Sequence, residues 1–139
     1  MTSAILHLHM AGFILALLVV VNVFVPARYG WKADMAKLSL LNRQIFQVHS
    51  IFIILLLALL SVLLLGYAPN LLKPDPLSRA ILAGLTIFWS LRLYMQFFFY
   101  SPRIWRGKRF ETVMHAVFSA TWLYLVGVFA ISLWRNLAA

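Results

Sequence analysis

The sequence has no cysteine and very few acidic residues. Among its 139 residues, three are acidic (Asp34, Asp75 and Glu111), whereas twelve are Lys or Arg. Without cysteine, the chain cannot form disulfides, thiolate metal sites, covalently attached haem or dithiol redox centres. A calcium or di-iron cage needs several carboxylates, and three acids are too few for one. These absences exclude most metal and thiol chemistry.

Charge of either sign is also scarce, because 11% of the residues are charged and 64% are hydrophobic. A soluble domain is about half apolar and about a quarter charged. This composition therefore excludes a water-soluble globule and predicts a small polytopic membrane protein. The net charge of +9 does not predict nucleic-acid binding, because the basic residues lie between apolar runs and form no continuous basic stripe.

Four apolar stretches are long enough to cross a hydrocarbon core, which takes roughly 20 helical residues. Backbone polar groups in the bilayer must be satisfied within each segment, so each stretch is expected to be a helix. We predict an all-α fold, a four-helix transmembrane bundle with up-down-up-down topology, forming one domain over residues 1–139. The predicted spans cover residues 5–25, 48–67, 80–100 and 112–134.

The basic residues between the spans predict the orientation of the chain. Loops 26–47 and 101–110 each hold four Lys or Arg, whereas the opposite side holds Lys73, Arg79 and Arg135. By the positive-inside rule, both loops lie in the cytoplasm and both termini lie on the non-cytoplasmic side. Short loops and dense spans favour a bacterial inner membrane.

Polar residues and small residues occupy opposite halves of the predicted spans. Counting about 1.5 Å per residue, one polar group per helix lies within about two turns of the cytoplasmic end. These groups are Asn22, His49, Gln96 and His115. The other half carries small residues that allow close helix approach, among them Gly12, Gly66, Gly84 and Gly127. We therefore predict a bundle that is closed on the outside and holds a polar pocket in the cytoplasmic leaflet.

His49 and His115 are the predicted ligands of a haem iron. In an up-down-up-down bundle their helices are diagonal, and a diagonal gap exceeds the distance of about 8–10 Å between neighbouring helices. Imidazoles across such a gap suit ligation of a haem b. On these two residues, the plan resembles the haem-b membrane anchors of respiratory complexes. The alternative is that each histidine only hydrogen-bonds near the headgroups.

Arg92 lies deeper, roughly 12 Å from the end of its span, and ionisable groups at such depth mark function by default. Its spacing to Trp89 and Gln96 places all three on one helix face. The alternative is that its long stem reaches the membrane surface. An unpaired guanidinium suits a quinone oxygen, a lipid phosphate or a carboxylate. Arg92, Gln96, His115 and Tyr94 are predicted to bound a quinone pocket, with Asn22 as a further cofactor contact.

Glu111 and His115 form an E-x-x-x-H pair on one helix face, in which the carboxylate is expected to hold the imidazole. With Arg92 they are the candidate catalytic residues. His7 and His9 lie about 200° apart around the first span. We therefore expect them to be interfacial and to lack partners.

Three functions follow from these residues. The first is a small integral membrane subunit of an electron-transfer complex that binds haem b or a quinone. The second is a membrane enzyme acting on a lipid or isoprenoid, and the third is an accessory subunit without chemistry. The expected partners are membrane lipid and other membrane subunits or further copies of the chain, and no nucleic acid.

Overall fold

The computed structural model of the protein is all-helical over residues 2–101, 103 and 105–139, which are the residues it describes. Its helices there are α1 (Thr2–Arg28), α2 (Trp31–Met35), α3 (Leu40–Leu71), α4 (Pro76–Phe98) and α5 (Arg109–Ala138). All of them except α2 are long and apolar enough to cross a membrane. The prediction of an all-α protein with four membrane-spanning helices is confirmed.

Two helices pass through a proline and continue beyond the predicted ends of their spans. Helix α1 continues past Pro26 to Arg28, and α3 continues past Pro69 to Leu71. Proline lacks the N–H that bonds to the preceding turn, and its ring crowds the carbonyl four residues earlier. The backbone of α3 accommodates this by a kink at Tyr67, where φ is −127° and ψ is 16°. Proline bends this helix near its end instead of terminating it.

Polar side chains fix the starts of α3 and α4. Ser39 lies just before α3, and its Oγ accepts from the N–H of Asn42 at 3.4 Å. Asp75 caps α4 by accepting from the N–H groups of Leu77 and Ser78, both at 3.0 Å. Two hydrogen bonds from Ser78 hold the pKa of Asp75 below its ordinary value. The bond from the Ser78 hydroxyl has the larger effect, and the bond from the Ser78 N–H has the smaller one. Each cap satisfies an N–H group that the first helical turn leaves without a partner.

The contacts divide the chain into two compact units. One is Leu8–Ala68, and the other joins Pro69–Ala139 to the start of the chain up to His7. The first unit therefore contains most of α1, α2 and most of α3, and the second contains α4 and α5. The prediction of a single domain stays a prediction.

Small residues produce close helix packing at one of the four predicted glycines. In the unit Leu8–Ala68, the Ser61 hydroxyl donates to the carbonyl of Gly12 at 2.9 Å. A Cβ atom at Gly12 would lie 2.8 Å from Cγ of Leu65. A Cβ at Gly66, Gly84 or Gly127 would have no such neighbour within 4 Å. The expected close approach was wrong at these three, because a glycine permits it only where the helix turns that face towards a neighbour.

Replacing Gly12 by valine is therefore expected to destabilise the packing of α1 on α3. The added carbons must displace Leu65, and overpacking of this kind costs about 1–3 kcal/mol. Gly84→Val is the matched control, because its Cβ meets open space. Thermal unfolding in detergent micelles should show a lower midpoint for Gly12→Val than for Gly84→Val. Equal midpoints would contradict the close contact.

Candidate functional site on helices α4 and α5

Gln96 is the central residue of a polar cluster between α4 and α5. Arg92 lies one turn earlier on the same face of α4, and its NH1 atom is 3.5 Å from Oε1 of Gln96. The indole N–H of Trp122, on α5, donates to the same oxygen at 3.2 Å. Gln96 is buried, with 6% of its surface exposed. One amide oxygen therefore joins the charged group of α4 to an indole of α5.

Aromatic ring faces lie beside the Arg92 guanidinium. Its Cζ atom lies 4.9 Å from the ring centroid of Trp122 and 5.7 Å from that of Tyr100. Both distances are within the range of a cation–π interaction. Among the described residues, no Asp or Glu forms an ion pair with Arg92. The half-buried cation is therefore stabilised by ring faces and one amide, and most of its N–H donors remain available.

Three aromatic rings form parallel layers beside Arg92. The rings of Trp89 and Trp122 are stacked at 5.2 Å with an interplanar angle of 19°. Phe118, one turn before Trp122 on α5, continues the stack at 5.7 Å and 11°. The predicted face of α4 that carries Trp89, Arg92 and Gln96 is therefore packed against α5. Both tryptophan side chains are buried, with 2% of Trp89 and 5% of Trp122 exposed.

His115, on α5, belongs to the same cluster because it also contacts Gln96. Its Nε2 atom is 3.3 Å from the backbone carbonyl oxygen of Gln96, which makes Nε2 the protonated nitrogen in this contact. The Trp105 ring stacks on the imidazole at 4.5 Å and 25°, and Phe97 meets it edge-on at 6.1 Å. The ring is therefore held by one hydrogen bond and two aromatic contacts.

Two indole N–H groups at this cluster have no acceptor among the residues that the structure describes. They are the Nε1 atoms of Trp89 and Trp105, and both atoms are buried. An indole N–H is a donor only, and a buried donor without a partner costs about 1–3 kcal/mol.

The structure brings together three of the predicted site residues, Arg92, Gln96 and His115, and places Tyr94 elsewhere. Tyr94 is 56% exposed and its ring stacks on Phe98 at 4.7 Å. Two residues along a helix correspond to a rotation of about 200°. Tyr94 therefore lies on the side of α4 opposite Arg92, and its contact with a quinone stays a prediction.

Glu111 does not hold the imidazole of His115. The carboxylate is half-buried and makes no hydrogen bond to His115, whose ring is turned instead towards Gln96 and Trp105. Four residues along α5 place both on one face, but the rotamer of His115 points it at α4. The expected carboxylate–imidazole pair was wrong.

The remaining predicted residues lie in the unit Leu8–Ala68 and bond to their own helices. The Nδ1 atom of His49 is 2.8 Å from the carbonyl oxygen of Ile45, and Asn22 donates to the carbonyl of Leu18 at 2.8 Å. Over the described part of the chain, no group of three or more His, Cys, Asp or Glu could hold a metal ion. The assignment of His49 and His115 to a haem iron stays a prediction.

The sequence analysis missed two polar groupings in the unit that contains α4 and α5. His7 was expected to lack a partner, but its Nδ1 atom is 3.0 Å from the Tyr124 hydroxyl. Asn136 received no role, although it is 1% exposed and bonds to Arg79. Asn136 could have been suspected, because it is the last amide of a long apolar helix. The partnership of His7 had no sequence signal, because it joins residues 117 positions apart.

No family model matches the chain, and no match is found among curated proteins or solved structures.

Proposed function

We propose that this protein is a small integral membrane subunit of an electron-transfer complex, and that it binds a quinone between α4 and α5. The observation that carries the proposal is the Arg92 guanidinium, half-buried against Trp122 and Tyr100 without a carboxylate among the described residues. Its planar fork of N–H groups suits a carbonyl oxygen. We propose that the protein acts within a larger membrane assembly.

Donors outnumber acceptors at this site, which supports a ligand with oxygen acceptors. Arg92 can only donate, and so can the indoles of Trp89 and Trp105, which lack acceptors in the described chain. Gln96 already accepts twice. A quinone carries carbonyl acceptors and no donor, so it complements this set. The stacked rings of Trp89 and Trp122 are buried and pack the α4–α5 interface beside Arg92.

The proposal includes the membrane orientation that the loop charges predict. Loops 26–47 and 101–110 hold eight of the twelve Lys and Arg, which supports a cytoplasmic location for both. The termini then lie on the opposite side, in an up-down-up-down arrangement within a bacterial inner membrane. Arg92 lies six residues before the end of α4 at Phe98, or about 9 Å by helical rise. The quinone head would bind in the cytoplasmic leaflet.

A haem b with His49 as an iron ligand is the second form of the proposal. The bond from Nδ1 of His49 to the Ile45 carbonyl places the proton on Nδ1 and leaves the Nε2 lone pair for iron. An absorption spectrum of the reduced protein tests it. A haem band lost in both His49→Ala and His115→Ala would support it, and a colourless protein that takes up no haem would exclude it.

Quinone binding is tested by quenching of tryptophan fluorescence in nanodiscs of phosphatidylcholine, with decylubiquinone as the probe. Arg92→Gln is expected to weaken binding about tenfold or more, because a hydrogen bond to a charged donor contributes roughly 1.5–3 kcal/mol. Arg103→Gln is the matched control, since Arg103 is an exposed basic residue outside the helices. It should bind the quinone as the unsubstituted protein does.

A second probe separates the quinone from the lipid-enzyme alternative. Four basic residues follow α4 in the loop, which favours a phosphate ligand: Arg103, Arg106, Lys108 and Arg109. Dodecyl phosphate is therefore titrated in the same nanodiscs. Binding of the phosphate and not of the quinone, with loss in Arg92→Gln, would overturn the quinone proposal in favour of a lipid or isoprenoid phosphate substrate. Binding of neither would leave the accessory-subunit alternative.

A further inference from the structure

A separate groove lies between the first turns of α1 and the second half of α5. Its volume is 270 Å³, and α1 contributes Ser3, Ala4 and His7 to its wall. The α5 side runs from Tyr124 to Arg135. Its lining residues are spaced so that they lie along one face of the helix. Eleven residues of helix correspond to about 16 Å. The groove is therefore long and narrow, and it contains none of the residues of the Arg92 site.

The middle of the groove is apolar and unfilled. Val128 and Ile131 form one side and Ala4 the other. Gly127 lines it without a side chain, and a Cβ atom there would have nothing within 4 Å. The open space is therefore continuous past Gly127. Its surface suits an alkyl chain, because burying apolar area is favourable roughly in proportion to the area.

The two ends of the groove differ in chemistry. At one end the His7 ring and the Tyr124 hydroxyl bond to each other at 3.0 Å, and their ring centroids are 6.1 Å apart. Because these two polar groups hydrogen-bond to each other, a ligand need not supply a polar group at this end. At the other end Arg135 supplies an exposed cation, and the lining contains no acidic residue. The charge at that end is complementary to an anion.

We propose that this groove binds a single-chain anionic amphiphile of the fatty-acid class. Its carboxylate pairs with Arg135, and its alkyl chain runs past Ile131 and Gly127 towards Tyr124. The volume supports one chain instead of a two-chain lipid, since it lies just below the range of about 300–1,000 Å³ that is usual for small-molecule pockets. The proposal does not depend on the quinone site.

The test uses the full chain in dodecyl maltoside micelles, with the fluorescent fatty acid cis-parinaric acid and its neutral methyl ester as probes. Gly127→Leu should fill the groove and weaken binding of both probes about tenfold or more. Arg135→Gln should weaken binding of the acid roughly three- to tenfold and leave the ester unchanged, because an exposed charge contributes less than a buried one. Arg92→Gln should bind both probes normally, which separates this site from the quinone site.

Matched controls keep the result interpretable. Gly84→Leu adds the same side chain to a glycine of α4 whose Cβ also meets open space, and Arg103→Gln removes one positive charge elsewhere. Both should bind the probes as the unsubstituted protein does. The proposal is overturned if the unsubstituted protein binds neither probe, or if Gly127→Leu binds both normally. It is also overturned if Gly127→Leu changes the oligomeric state and not probe binding, since a second copy would then be the occupant.

Discussion

Gln96→Leu is expected to abolish quinone binding and to lower the free energy of unfolding by about 3 kcal/mol. Oε1 of Gln96 accepts from Trp122 at 3.2 Å and faces Arg92 at 3.5 Å. Leucine has a similar size but no acceptor, so an indole N–H and a guanidinium lose their shared partner. An unsatisfied buried donor costs about 1–3 kcal/mol, and a charged one costs more. Thermal unfolding in micelles measures the loss of stability.

Gln96→Glu separates the stability of the cluster from its binding function. The carboxylate keeps an acceptor for Trp122 and gives Arg92 a counter-ion within the same helix turn. We therefore expect an unfolding midpoint close to that of the unsubstituted protein, together with loss of quinone binding, because the guanidinium is already paired. Quinone binding retained by Gln96→Glu would show that Arg92 is not the group that holds the ligand.

Asn136→Leu is expected to destabilise the protein by about 3–5 kcal/mol. The side chain is 1% exposed and accepts from Nε of Arg79 at 3.1 Å. Its amide group donates to the carbonyl oxygens of Leu71 and Lys73. It therefore joins the end of α5, the start of α4 and the connection between α3 and α4. Leucine would leave a charged group and two carbonyls without this partner, and breaking such a buried network gives some of the largest single-residue effects.

Asn136→Asp and Asn42→Leu are the controls for this prediction. Aspartate keeps the acceptor for Arg79 but places a carboxylate against two carbonyl oxygens, so we expect an intermediate loss of stability. Asn42 is exposed, and its replacement by leucine should change the unfolding midpoint little. An unfolding midpoint of Asn136→Leu equal to that of Asn42→Leu would contradict the role assigned to Asn136.

The helices were predictable from the sequence because bilayer thickness and backbone hydrogen bonding leave few alternatives for long apolar runs. The start of α3 was predictable for a local reason, since Ser39 can reach the first N–H groups of the helix. The ends of α1 and α3, near Pro26 and Pro69, were less predictable. Near a helix terminus proline removes few bonds, and whether the helix bends or stops depends on the surrounding packing.

The candidate site was predictable along one helix but not across two. Periodicity placed Trp89, Arg92 and Gln96 on one face of α4, and that face carries the cluster. By the same rule Tyr94 lies about 200° away from Arg92, on another face of α4. The rule did not reveal the partner of His115, because the choice between Glu111 and the Gln96 carbonyl depends on a side-chain rotamer. Sequence spacing fixes a direction on a helix but not a contact between helices.

The central claim is that Arg92 donates hydrogen bonds to a carbonyl oxygen of a bound quinone. Infrared difference spectroscopy with a quinone labelled with ¹³C at its carbonyl carbons tests it most directly, because hydrogen bonding lowers the frequency of the carbonyl stretch. We predict a lowered frequency in the unsubstituted protein and in Arg103→Gln, and the frequency of quinone free in lipid in Arg92→Gln. A stretch at the free-lipid frequency in the unsubstituted protein, or a lowered one that persists in Arg92→Gln, would contradict the account.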